Sequence, residues 1–204
     1  MVNDMKKKII ALLMTTILTA GLITGCGANQ TDDNRNADEV KTEETQETEG
    51  MVHLETAEEV TAFFDELYQK VPQDMLPASI ATTEVPLDDM ETVTYHTGLE
   101  DLRGIEGIYI SESMIGSVAY SALYIRTNDE ADAVQLRQTL MDKINPSKWI
   151  CVTAEKQIAA LFGNDIFFVM AASDTADEVY GQAKKVAESR QMPITEAIDK
   201  TNAQ

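Results

Sequence analysis

Two cysteines and two histidines limit the nucleophilic and acid–base chemistry open to this sequence. Cys151 lies in the run Trp149-Ile150-Cys151-Val152, and a cysteine nucleophile needs a base or a helix N-terminus that lowers its pKa. Lys148 is the only basic residue near it in sequence. An isolated cysteine in an apolar strand is usually a small buried hydrophobic residue, so we expect Cys151 to be buried and unreactive.

His96 is the other candidate for chemistry. An imidazole can act as a general base or a metal ligand near neutral pH. With Glu112 or Asp101 as its orienting carboxylate, it would suit a hydrolase of the cell wall or of peptides. A carboxylate within about 3.2 Å of His96, or one water away, in an open cleft, is what that hypothesis requires. A histidine at the surface or in the core near a strand end is the simpler interpretation.

The sequence lacks the short motifs that mark common catalytic and cofactor sites. It has no Gly-x-Ser-x-Gly, no phosphate-binding Walker loop and no His-Glu-x-x-His, and Ser111-Glu112-Ser113-Met114 has Met where penicillin-binding enzymes have Lys. Its acidic clusters lack the spacing of a calcium loop. We therefore expect no catalytic residues, no cofactor and no metal site.

The first element able to position side chains is a helix. Thr56 and Glu59 form a capping box, apolar residues then recur at spacings of three and four, and Pro72 ends the pattern. Residues 72–90 hold three prolines, so we assign them no regular structure.

Five β-prone or apolar runs predict strands, and three later segments predict helices. The strands are 92–95, 107–111, 118–126, 149–152 and 166–170, the last of them central because it is apolar throughout. The helices are one that Asn128-Asp129 caps and that ends before Asn145-Pro146, a short one over 154–162, and one that Ser173 or Asp174 caps and that runs to about Arg190.

These elements predict an α+β fold. We expect a mostly antiparallel sheet of four to five strands with helices packed on one face, in a single domain over residues 51–190 with a tail at 191–204. Residues 108–144 and 149–186 both read strand, link, strand, helix. Two β-β-α halves explain this similarity, and so does the chance likeness of two amphipathic units.

Polar and small residues interrupt the strands in two places, and such interruptions favour a binding surface. The segments are 95–98 and 111–117. The candidate surface residues are Tyr95, His96, Gly98, Ser111, Glu112, Ser113 and Ser117. A sheet face that no helix covers would be an equal candidate.

The N-terminus reads as a targeting signal. Basic residues at 6–8 precede an apolar run over 9–23, which is short for a transmembrane span. The ending Leu22-Ile23-Thr24-Gly25-Cys26 resembles the lipobox of bacterial lipoproteins. The resemblance implies that residues 1–25 are a signal peptide and that Cys26 carries acyl chains that anchor the chain to the membrane at its extracytoplasmic face.

Negative charge dominates the rest of the chain. Residues 26–50 form a polar, acidic linker that we expect to be disordered, with a net charge of −6. Residues 51–204 hold 26 acidic and 11 basic residues, a net charge of −15. This charge disfavours nucleic acid and electrostatic adhesion to an anionic membrane, since both require basic surfaces.

Further segments resemble a domain-of-unknown-function family of Gram-positive bacterial lipoproteins. The segments are Tyr95-His96-Thr97-Gly98-Leu99, Ile108-Tyr109 with Ser113-Met114-Ile115, Lys148-Trp149-Ile150-Cys151-Val152, and Gly163-Asn164-Asp165-Ile166. The resemblance covers residues 92–190 and the lipobox. It implies a surface-anchored domain and carries no catalytic residue to this chain.

We therefore predict a non-enzymatic binding or accessory lipoprotein of the cell envelope. Its partner, besides the membrane that holds its lipid, would be an envelope protein, a peptide or a small solute. The alternatives are a hydrolase that uses His96 and a solute-binding lipoprotein that feeds a transporter. The second of these usually needs two lobes, and about 140 folded residues are few for two.

Overall fold

A computed structural model describes residues 53–195 and 197–202. The predicted signal peptide, Cys26 and the acidic linker lie outside the described residues. In chain order the elements are α1 (Ala57–Lys70), β1 (Ile80–Val85), α2 (Met90–Thr97), β2 (Ile105–Ser113), β3 (Ser121–Thr127), α3 (Ala133–Lys143), β4 (Lys156–Phe162), β5 (Asp165–Ala171), α4 (Ser173–Ser189) and β6 (Ile198–Thr201).

The strands form one antiparallel sheet in the order β1-β2-β3-β5-β4-β6. The α+β class and the antiparallel sheet are confirmed, although the sheet has six strands and not four to five. The chain order contains β-β-α twice, as β2-β3-α3 and β4-β5-α4. The second strands of these two units, β3 and β5, pair at the centre of the sheet.

Helices cover both faces of the sheet, so the expectation of helices on one face is wrong. Successive strand residues point to opposite faces, and Phe167 joins a core with α1 and α4 while Phe168 joins a core with α2 and α3. Both central strands are apolar on both sides, and each side must be kept from water. No sheet face is left uncovered to act as a binding surface among the described residues.

The strongest sequence signals are confirmed. Thr56 and Glu59 form the reciprocal capping box of α1, and one face of that helix buries Val60, Phe63 and Leu67. Every residue of β5 is buried, as its unbroken apolar run predicts.

Residues 92–95, expected as a strand, lie inside helix α2. The Asp89 side chain accepts the Thr92 amide at the start of this helix, and Gly98 ends it in the left-handed conformation, with φ 73°. Only Val93 and Thr97 of the helix are buried. These end caps and the four-residue spacing of the buried positions outweigh the β-branched composition of the run.

Two further expectations between α3 and β5 are wrong. Residues 149–152 form a loop that closes where the Ala154 amide donates to the Pro146 carbonyl, 2.8 Å away. Residues 156–162, expected as a helix, form β4, which pairs with β5 on one side and β6 on the other. Two strand partners outweigh the helix propensity of its alanines.

The segments expected to lack structure supply both edge strands. Residues 80–85 lie between Pro77 and Pro86 and pair with β2 along their whole length as β1. Residues 198–201 of the expected tail pair with β4 as β6. Asp132, and not Asn128-Asp129, caps α3. Ala172, and not Ser173 or Asp174, is the N-cap residue of α4, which begins at Ser173 with no side-chain cap.

The start of the described chain is held at one end of the sheet by Asp165. This wholly buried carboxylate accepts hydrogen bonds from the Leu54 amide at 3.1 Å, the Tyr124 hydroxyl at 2.9 Å and the Thr127 amide at 2.9 Å. Burial raises the pKa of Asp165 above its ordinary value, while these hydrogen bonds oppose the rise. Arg126 donates to the Leu54 carbonyl at 2.7 Å.

Candidate functional site

The predicted surface residues gather at the opposite end of the sheet, where β2 ends and β3 begins. Register pairs Glu112 with Ser121 and Ser121 with Met170, at the far end of these strands from Asp165. On the face that α2 and α3 cover, α2 brings His96 to Glu112, with 3.7 Å between Nδ1 and Oε2. Of the two carboxylates that the sequence offers as partners of His96, the fold therefore brings Glu112 near it.

A buried lysine completes this group. The ammonium of Lys148, in the loop after α3, contacts the Glu112 carboxylate, and only 1% of the Lys148 side chain is exposed. The ammonium also lies 5.8 Å from the centre of the Tyr95 ring and 5.4 Å from that of Trp149. Aromatic faces at these distances stabilise a cation that has little access to water. We call His96, Glu112 and Lys148 the ionic cluster.

Burial and charge act against each other in the ionic cluster. Burial lowers the pKa of Lys148, and the Glu112 carboxylate offsets only part of that effect. Burial alone would raise the pKa of Glu112, but His96 and Lys148 outweigh it, so the pKa of Glu112 lies below its ordinary value. Glu112 is therefore a carboxylate at neutral pH, and Lys148 is its counter-charge.

The geometry does not support His96 as the base of a hydrolase. The distance of 3.7 Å to Glu112 is too long for a direct hydrogen bond and too short for a water between the two atoms, and Lys148 already occupies that carboxylate. The other proposed partner, Asp101, pairs with Arg103 at 2.7 Å in the loop after α2.

Ser121 and Lys148 also fall short of a catalytic pair. Lys148 Nζ lies 3.4 Å from Ser121 Oγ, and a serine beside a lysine base can be a nucleophile. Ser121 is wholly buried, however, so no substrate reaches its hydroxyl. The contact ties the loop after α3 to strand β3.

Ser111 faces away from the ionic cluster. Its hydroxyl accepts from the Tyr68 hydroxyl at 2.6 Å and lies 2.8 Å from Thr82 Oγ1, and Tyr120 in turn donates to Tyr68 at 3.0 Å. Burial raises the pKa of Tyr68 to about 12. These bonds link α1 to strands β1 and β2 and to Tyr120, just before β3, so Ser111 has a structural role.

The remaining predicted residues shape the backbone near the ionic cluster. Ser113 accepts the Ile115 amide at 3.1 Å and so turns the chain out of β2. Ser117 is exposed in the loop that follows. Gly98 ends α2 against the backbone of Lys143, where a Cβ would lie 2.5 Å from the carbonyl carbon.

An exposed apolar surface lies over the ionic cluster. Of six large hydrophobic residues exposed in the described part of the chain, four belong to it. They are Tyr95, Met114, Ile115 and Ile150, which we call the end patch. Met114 is 67% exposed and Ile150 is 73% exposed.

Two hydrogen bonds connect the segments of the end patch. The Ile150 amide donates to the Gly116 carbonyl at 3.0 Å, and the Tyr95 hydroxyl donates to the Lys148 carbonyl at 3.4 Å. Residues 148–150 thus join α2 to the loop between β2 and β3. The sequence predicts Tyr95 as a surface residue. The positions of Ile150 and Lys148 are not predictable from the sequence, because they depend on the geometry of the loop.

Cys151 lies beside the end patch and is exposed, so the expectation of a buried thiol is wrong. Its φ of 58° is in the left-handed region, as a turn requires and a strand does not. The thiol points to no role by itself, but it provides a native chemical handle next to Ile150.

No group of three or more His, Cys, Asp or Glu side chains suited to a metal ion occurs among the described residues. In the same part of the chain, no helix is both long and apolar enough to cross a membrane. No family model matches the chain, and neither a curated protein nor a solved structure matches it. The resemblance to the lipoprotein family stays a prediction.

Proposed function

We propose that this chain is a lipid-anchored lipoprotein at the extracytoplasmic face of the membrane, with a non-enzymatic binding role. The end patch binds a protein of the cell envelope. The observation that carries this proposal is the concentration of four of six exposed large hydrophobic side chains at one end of the sheet. The lipobox before Cys26 supports the anchor.

The end patch has the composition of a protein contact. Contiguous exposed apolar surface is costly in water, and it marks interaction sites more often than chance. Aromatic residues and Met are enriched in the buried centres of protein interfaces. Tyr95 and Met114 provide these two types, and Ile115 and Ile150 add aliphatic area.

The ionic cluster gives the end patch a defined shape before binding. Lys148 contacts Glu112, two aromatic rings and Ser121. These contacts order the loop that carries Ile150 on its buried side. A surface that is ordered in advance loses less conformational entropy when a partner binds. The buried charges therefore position the patch and contact no partner.

A protein partner suits this surface better than nucleic acid or anionic lipid. Residues 51–204 carry a net charge of −15, which repels phosphate-rich surfaces at long range. The apolar side chains of the patch provide attraction only at contact. A protein whose surface has an apolar patch with a neutral or basic rim avoids the long-range repulsion and provides the apolar contact.

Crosslinking through the native thiol tests this proposal. If Cys26 is acylated, Cys151 is the only free thiol, since the chain has two cysteines. Intact cells that carry the protein are treated with benzophenone maleimide, irradiated, and examined by mass spectrometry. We compare the wild type with Met114→Ser/Ile150→Ser, with Cys26→Ala, and with Val134→Ser, which removes an exposed apolar side chain from α3.

We expect one reproducible envelope-protein partner in the wild type and in Val134→Ser. It should disappear in the double patch variant, because the apolar contact is lost, and in Cys26→Ala, because the anchor is lost. A partner that survives Met114→Ser/Ile150→Ser would show that the patch does not bind it. Abundant, intact protein without any partner would contradict the proposed function as a whole.

A further inference from the structure

A second surface feature lies away from the end patch, between the loop at 98–104 and helix α3. It is a groove of about 560 Å³. Small-molecule and peptide side-chain sites have volumes of about 300–1,000 Å³, so the groove is large enough for a short peptide segment and too small for a folded domain.

Two glycines explain why the groove forms. A Cβ on Gly98 would lie 2.5 Å from Lys143 at the end of α3, and one on Gly104 would lie 2.4 Å from Ala131 just before its start. Both glycines have positive φ, 73° and 74°. The loop therefore touches the α3 segment at both of its ends and stands away from it in between.

The floor of the groove is apolar. Leu99 is buried at its base, and the partly exposed Leu136 and Ala131 come from the α3 side. An occupant gains from covering Leu136 and Ala131, since apolar area removed from water contributes about 25 cal/mol per Å².

The rim of the groove carries uncompensated negative charge. Glu100 and Glu130 line it from opposite segments, and neither side chain pairs with a base among the described residues. Asp101 also lines it but is neutralised by Arg103, and the Asp132 carboxylate caps α3. Lys143 lies at the far end of the groove, and it has no acidic partner among the described residues.

From this apolar floor and acidic rim we infer that the groove is a binding site for a short cationic peptide segment, with Lys or Arg next to an aliphatic residue. The basic side chain pairs with Glu100 and Glu130, and the aliphatic side chain covers Leu136 and Ala131. The acidic body of the protein increases the rate at which a cationic segment arrives. This site is separate from the end patch and does not depend on it.

A selection from random hexapeptides displayed on phage tests the inference on the full-length protein, purified in detergent. The peptides recovered are synthesised, and their Kd is measured for the wild type and two variants. Glu100→Gln/Glu130→Gln removes the free rim charges. Glu58→Gln/Asp65→Asn is the matched control, because it makes the same change in net charge on α1, which packs on the other face of the sheet.

We expect the recovered peptides to combine a basic residue with an aliphatic neighbour. Two exposed ion pairs, each about a threefold effect, multiply to a weakening of about tenfold in the rim variant. The control should change Kd by less than about twofold. Leu136→Ser, which keeps the charges, should also weaken binding several-fold.

Three results would overturn the inference. The first is a selection that yields no basic peptide. The second is a rim variant that weakens binding no more than the control does. The third is a Kd that Leu136→Ser leaves unchanged. The second result would show attraction to the net charge alone, and the third would show that the floor takes no part.

Discussion

Glu112→Gln should destabilise the domain strongly, because it leaves the Lys148 ammonium buried without a counter-charge. Breaking a buried ion pair on one side costs about 3–5 kcal/mol. Since 22% of the Glu112 side chain is exposed, water offsets part of this, and we expect about 3 kcal/mol. Lys148→Met keeps an apolar side chain of similar length but leaves the Glu112 carboxylate without its ammonium; because that carboxylate is partly exposed, we expect a smaller cost of about 2 kcal/mol.

The double variant Glu112→Gln/Lys148→Met separates the cost of the isolated charge from simple loss of packing. It should cost no more than Lys148→Met alone, because neither an unpaired ammonium nor an unpaired carboxylate remains. The free energy of unfolding of each variant is measured by urea unfolding of the chain from Glu47 to Gln204, one compact unit, and the fluorescence of Trp149 follows the transition. A loss of 3 kcal/mol lowers the urea midpoint by roughly 1.5–2 M. A double variant that loses the sum of the two single costs would refute the reasoning.

The ion pair of Glu112 and Lys148 also leads us to predict how the stability of the fold depends on pH. The pKa of Glu112 is lowered in the folded protein from an ordinary value of 4.5. A lowered carboxylate pKa stabilises the fold above 4.5, and the stabilisation is lost as pH falls through the folded-state pKa. The stability gap between wild type and Glu112→Gln should therefore be full at pH 7 and narrow below about pH 4.5. A gap that stays constant down to pH 3 would contradict the charge assignment.

Three more predictions concern single sites. Gly98→Ala should cost about 2 kcal/mol or more, since φ is 73° and the new Cβ meets the Lys143 backbone; an unchanged melting temperature would contradict this. Asp165→Asn should cost about 2 kcal/mol in urea unfolding, because an amide nitrogen replaces an oxygen that accepts buried hydrogen bonds. Cys151 should react with maleimide in the folded protein as fast as in urea, and protection of the thiol by folding would show that the loop is wrongly placed.

The elements that the sequence predicts well are those whose signals agree with one another. Helix α1 has a capping box, an apolar stripe and a proline stop, and β5 is too apolar to lie anywhere but the centre. Residues 92–95 and 156–162 were open to error, because short runs of β-branched residues or alanines occur in both kinds of element. Only the cap at Asp89 and the two partners of β4 decide between them.

The candidate site is predictable in part for the same reason. The sequence offers Glu112 or Asp101 as a carboxylate partner for His96 and does not choose between them, because residues 92–95 read as a strand whereas His96 lies in helix α2. Lys148 is not predictable, because an isolated lysine beside a tryptophan is ordinarily a solvated side chain. Its burial depends on a loop that crosses the end of the sheet, and the closure of that loop is a tertiary contact.

The position of Leu54 sets how the domain bears force. The Leu54 amide donates a hydrogen bond to Asp165 at one end of β5. The end patch lies beyond the other end of the strand, and the strand is about 20 Å long at 3.4 Å per residue. If Cys26 is the anchor, a partner that pulls on the patch stretches the strands lengthwise between the two points. Antiparallel hydrogen bonds run across that direction, so many of them share the load at once and none opens ahead of the others. With Cys26 as the anchor, the domain would therefore act as a stiff link between the membrane and a partner bound at the end patch.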